Sequence, residues 1–115
     1  MKEMRNEIEF NGAKYNLVFN LNVMEVIQDE YGTLEKWGTL TDASKGEPNV
    51  KAVKFGFLAM INEGIDIDNE ENGTNIKPLT EKQVGRLLTE IGLANVTQTM
   101  NKTVIDSTKS DEKKE

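Results

Sequence analysis

A chain of 115 residues, 37% hydrophobic and 30% charged, has the balance of one globular domain, long enough to bury roughly two-thirds of its unfolded surface. It contains no cysteine and no histidine, which excludes disulfides, thiol nucleophiles, thiolate metal sites, and the commonest general base and metal ligand. A formal net charge of −6 and a pI of about 4.8 argue against nucleic-acid and anionic-membrane partners, because affinity for both starts with phosphate neutralisation.

The start, MKEMRNEIEF, has no apolar core of the length a secretory signal requires, and no apolar run approaches the roughly 18 residues of a membrane span. The Asn-X-Thr patterns at Asn72, Asn95 and Asn101 are therefore expected to be accidental. Residues 6–22 alternate apolar and polar across Asn11-Gly12, with Ile8 and Phe10 on one face before the turn and Tyr15, Leu17 and Phe19 on one face after it. That is a hairpin signal, and the connection NGAK leaves its turn type open. The hairpin must pack on helices or be completed by another chain, since two strands alone are marginal.

The period then changes. Leu21, Val23, Met24, Ile27 and Tyr31 fall mainly on one side of a helix, and Gly32 suits the left-handed position past its end. The stretch YGTLEKWGTL repeats an aromatic followed by Gly-Thr-Leu. Tyr31-Gly32 and Trp37-Gly38 each read as an inward anchor and a stop, with Leu34 and Leu40 returning to the core. Alternatively, the two aromatics floor a groove.

TDASKGE is a polar loop, and Pro48 fits the first position of the next helix. Val50, Val53, Phe57, Met60 and Ile61 form one stripe, with Gly64 expected to end the helix and Ile65 to close on Met60. Phe55 points roughly opposite, beside the small residues Ala52, Gly56 and Ala59. Residues 65–79 read as an acidic loop or a weak second hairpin around Asn72-Gly73. Thr80 with Gln83 forms a capping box ahead of Val84, Leu87, Leu88 and Ile91, with Gly92 as the stop. A last helix carries Leu93, Val96, Met100 and Val104. The expected architecture is α+β and mostly helical: an N-terminal hairpin followed by four or five helices in a single domain over 1–106, then a disordered charged tail over 107–115.

Little of this can do chemistry. Glu25 and Asp29 share the polar face of their helix while Glu30 points elsewhere, which suits a solvated face better than a general acid–base pair. Asp68, Glu70, Asn72 and Gly73 imitate the first half of a calcium loop, yet the twelfth place, which needs a bidentate glutamate, is Leu79. Phosphate-cradling glycine spacing is absent. The serines, Ser44, Ser107 and Ser110, have no histidine to activate them. Elimination leaves a non-enzymatic binding or structural protein without a cofactor or metal. The candidate partner surface is Phe55 with Ala52, Gly56 and Ala59, where a helix of another subunit has room to approach, together with Tyr31 and Trp37. The bland reading packs the small-residue strip on the last two helices of the same chain and makes Trp37 a core anchor.

NGAKYNLVFNLNVMEVIQDEYGTLEKWGTLTD, the following helix with FLAMINEGIDI, and PLTEKQVGRLLTEIG together resemble the tail assembly chaperones of long-tailed phages and prophages of Gram-positive bacteria, over roughly residues 6–106. The resemblance implies a non-enzymatic role in the host cytoplasm: coating the helical tape-measure protein, recruiting tail-tube subunits, and leaving before the virion is complete. It also implies that some members are made in a longer, frameshifted form, for which the lysine pair in the terminal EKKE offers a place if its codons form an A-rich slippery run. Self-association is a further expectation. The rival readings are a tail-completion or head–tail connector subunit that stays in the particle, and a regulatory adaptor unrelated to phage.

Overall fold

The computed structural model describes the backbone of residues 6–113 and the side chains of 6–44 and 46–107. Alternation over the first stretch gives two antiparallel strands, β1 (Asn6–Phe10) and β2 (Ala13–Leu17), in the register Phe10 to Ala13, Ile8 to Tyr15, Asn6 to Leu17. Only Asn11 and Gly12 lie between them, at φ 53° and 80°. Two positive φ values make a type I′ turn, whose twist matches that of the strands it joins.

The hairpin lies within the chain, on a central helix. Leu17 and Phe19 are buried, and Ile8, Phe10 and Tyr15 are half-buried on the same side. The Val18 N–H donates to the Met60 carbonyl across 3.2 Å.

Five α-helices follow among the described residues. Helix α1 (Leu21–Tyr31) is capped by Asn20, whose side chain accepts from the Val23 N–H, and is closed by Gly32 at φ 92°. Val23 and Ile27 are buried, but Leu21 stands 77% exposed in the first turn and is not part of the stripe. Helix α2 (Leu34–Thr41) begins at the cap Thr33 and runs straight through Gly38, which therefore is not a stop. An internal glycine costs about 1 kcal/mol against alanine, and the buried Trp37 anchoring this helix offsets it.

Helix α3 (Val50–Asn72) is the axis of the fold and packs against β2, α1, α2 and a fourth helix. Its cap is Asn49, accepting from the Ala52 N–H at 2.9 Å, so Pro48 stands outside the helix instead of opening it. Val53, Phe57, Met60 and Ile61 are fully buried, whereas Val50 in the first turn is exposed. The helix does not end at Gly64. It continues with the buried Ile65 and closes at Gly73, in left-handed conformation, whose N–H bonds the Asn69 carbonyl. The loop or second hairpin expected over 65–79 is thus more helix, then an extended strap over 74–80. Gly64 serves close packing: a Cβ there would overlap the Asn16 carbonyl of the hairpin.

Helix α4 (Glu81–Ile91) starts at the full capping box of Thr80 and Gln83, buries Val84, Leu87 and Leu88, and ends at Gly92. Thr80→Ala is expected to lower stability by about 1 kcal/mol through the lost cap, seen as a lower urea midpoint at unchanged slope. Helix α5 (Leu93–Lys113) buries Val96 and Met100. It is tied to β1 where Asn6 Nδ2 donates to Thr103 Oγ1 at 2.8 Å. It carries on past residue 106, so the charged stretch from Ser107 begins inside a helix. Backbone bonding needs no apolar residue to continue, and the Lys102–Asp106 pair at 2.9 Å, one turn apart, supports it. The second lysine of EKKE, Lys114, lies outside the described residues.

Candidate docking groove

Helix α1 runs antiparallel along one flank of α3. At one end Tyr31 meets Phe55 edge to face, ring centroids 5.5 Å apart at 85°. Burial, and then the Glu30 carboxylate beside it, push the Tyr31 phenol above its ordinary range, so it remains neutral. Two turns further along α3, Glu63 Oε2 accepts from Asn20 Nδ2 at 2.8 Å and Asn22 Nδ2 at 3.0 Å. The Asn20 amide therefore both caps α1 and ties it to α3.

The opposite flank carries the strap, held by two asparagines. Asn62 Oδ1 accepts from the Leu79 N–H at 2.8 Å and Asn62 Nδ2 donates to the Leu79 carbonyl at 3.1 Å. Asn69 does the same to Ile76, at 3.0 and 2.9 Å. Residues seven apart on a helix share a face, so the two amides grip an extended backbone at two points along one line.

Between α1 and the strap lies a groove of about 330 Å³. Its floor is α3, with the small Ala59 beside the polar Asn62, and its walls are tipped by Val26 from α1 and by Ile76 and Pro78 from the strap. Val26, 45% exposed, and Ile76, 54% exposed, both line this groove. Glu63 and Asp66 make the polar lining acidic.

The six residues singled out from the sequence divide. Tyr31 and Phe55 are half-buried and in contact, and Ala59 lines the groove one turn from Phe55. Trp37, Ala52 and Gly56 instead meet inside the chain: the indole Nε1 donates to the Ala52 carbonyl at 3.0 Å, and the ring lies where a Cβ on Gly56 would be. At Ala52 and Gly56 the close approach is thus taken by Trp37 of α2, which is a core anchor.

Val26, Asn62, Asn69, Ile76 and Pro78 escaped the sequence reading, because ending α3 at Gly64 put Asn69 in a loop and left the strap without a surface to lie on. The asparagine pair at heptad spacing was the available signal. Among the described residues, no three acidic side chains gather closely enough to hold a metal ion. Asp68, Glu70 and Asn72 of the calcium-like stretch lie on helical turns of α3. Among the described residues, no helix is long and apolar enough to cross a membrane. Comparison with protein-family models, curated proteins and solved structures finds no match for this chain.

Proposed function

We propose that this chain is a non-enzymatic tail assembly chaperone that holds an amphipathic helix of a tape-measure protein in the groove between α1 and the strap. The observation that carries the reading is the groove itself: the exposed Val26 and Ile76 line it with the small Ala59, and Glu63 and Asp66 give it an acidic lining. Helix-in-groove recognition takes apolar anchors at one-turn spacing. The Tyr31–Phe55 pair extends the same flank by a turn of α3. The resemblance of residues 6–106 supplies the identity of the client and, with it, tail-tube recruitment, action in the host cytoplasm, release before the virion is finished, and a frameshifted longer form.

Co-expression with the longest helical protein encoded nearby tests this reading. The client is expected to become soluble and to co-purify with this chain. The Val26→Asp, Ile76→Asp double variant is expected to lose the client while its own stability stays within about 0.5 kcal/mol per substitution, as for exposed positions. A client that stays insoluble, with this chain found at fixed copy number in purified virions, would instead establish the connector reading. A client held equally by both forms would move the grip elsewhere on the surface.

A further inference from the structure

Among the described residues the sheet has two strands, and their outer edges differ. In a two-residue hairpin closed between Phe10 and Ala13, hydrogen-bonded pairs alternate with non-bonded ones. Phe10–Ala13, Ile8–Tyr15 and Asn6–Leu17 exchange backbone bonds, while Glu9–Lys14 and Glu7–Asn16 turn their N–H and C=O groups outward. On the β2 side, this outward row meets α3: the Asn16 carbonyl sits against Gly64, and Val18, next in the same phase, bonds Met60. On the β1 side, no backbone bond from another described residue reaches the outward groups of Glu7 and Glu9, and the strand carries no proline or bulge. Ile8 and Phe10, on the inner face of that edge, are only half-buried.

We propose that the outer edge of β1 is a docking site for an extended segment that alternates basic and apolar residues and joins the hairpin as a third strand. Charge selects the partner. Glu7 and Glu9 are exposed on the outer face, and within the hairpin only Lys14 stands opposite either of them, so lysine or arginine at alternate positions of an added strand would meet the carboxylates directly. The residues between would cover the remaining flanks of Ile8 and Phe10. A second copy of the chain is disfavoured by the same rule. Antiparallel registers of β1 on β1 that match outer faces set glutamate against glutamate. The edge thus repels its own kind while leaving its backbone open to a basic strand. This inference is independent of the groove and of the client proposed for it.

The test uses the whole chain and a synthetic nine-residue peptide alternating lysine with valine, alongside the same peptide N-methylated on alternate residues so that its pairing edge is blocked. The plain peptide is expected to bind one to one, and more weakly as salt rises. Hydrogen exchange should then slow at the Glu7 and Glu9 amides and stay unchanged at Ile8, which is already bonded to Tyr15. The N-methylated peptide should bind about tenfold more weakly, the equivalent of one or two backbone hydrogen bonds. Glu9→Pro should bind the plain peptide more weakly than Glu9→Gln, which loses the same charge but keeps its N–H, and without unfolding the chain, since the N–H it removes points away from β2. If both peptides bind equally, the contact is charge alone and the proposal fails. It fails too if the plain peptide does not bind. Glu7 and Glu9 amides already protected in a dimer of the free chain would overturn it in favour of a second copy.

Discussion

Gly64→Ala is expected to destabilise the chain by about 3 kcal/mol, at the upper end of what overpacking a filled site costs. Two effects oppose each other. Alanine is the better helix former by about 1 kcal/mol, and at an open position that gain would decide the sign. Here the new Cβ would overlap the Asn16 carbonyl, a backbone atom of β2 that cannot rotate away. Either the hairpin lifts or α3 bends, and both disturb the Val18–Met60 bond that sits one turn from the clash. Urea unfolding measures the loss, and faster hydrogen exchange at the Val18 amide locates it. Gly38→Ala is the matched control. Nothing lies within 4 Å of a Cβ at Gly38, so the helix term acts alone and stability should rise by up to about 1 kcal/mol. A Gly64→Ala variant as stable as the parent would mean that the hairpin does not cross α3 at this point.

The pair of glycines also explains which parts of the fold were legible in the residues. Elements whose signals are local came through: the hairpin from alternation around Asn11-Gly12, α1 from its period and Gly32, and α4 from the Thr80–Gln83 box. Glycine has two uses, a left-handed backbone at a stop and room for a neighbour in mid-helix, and the chain writes both with the same letter. Gly32 and Gly92 are the first kind; Gly64 is the second, and no local pattern distinguishes it, because the neighbour that needs the room is β2, some 48 residues earlier in the sequence. Ending α3 there hid everything beyond it. Asn69 and Ile76 fell within the stretch read as an acidic loop or weak second hairpin, so the groove could not be assembled. Ala52, Gly56 and Trp37 of the sequence-derived surface lie inside the chain for a related reason. Ala52 and Gly56 were correctly recognised as a place of close approach, but what fills it comes from α2, and a periodicity argument has no means of choosing between a neighbour in the chain and one outside it.

Trp37→Ala is expected to cost about 4 kcal/mol, the middle of the range for emptying a buried aromatic site. The indole is 6% exposed, lies on Gly56 and donates its N–H to the Ala52 carbonyl. Removing it leaves a cavity between α2 and α3 that a rigid helix pair closes only in part. Trp37→Phe should cost less, about 1–2 kcal/mol, because most of the volume stays and one hydrogen bond is lost. The sharper measurement is a double-mutant cycle with Gly56→Ala. In the parent, a Cβ at position 56 would overlap the indole and destabilise the fold. In the Trp37→Ala background the obstruction is gone, and the same substitution adds helix propensity and fills part of the void. Its effect should then turn neutral or favourable, by up to about 1 kcal/mol, giving a coupling energy of the size found only for residues in contact. A tryptophan whose loss changes neither stability nor the Gly56→Ala effect would have to lie on the surface, and the paired aromatics Tyr31 and Trp37 would return as a place for a partner to bind.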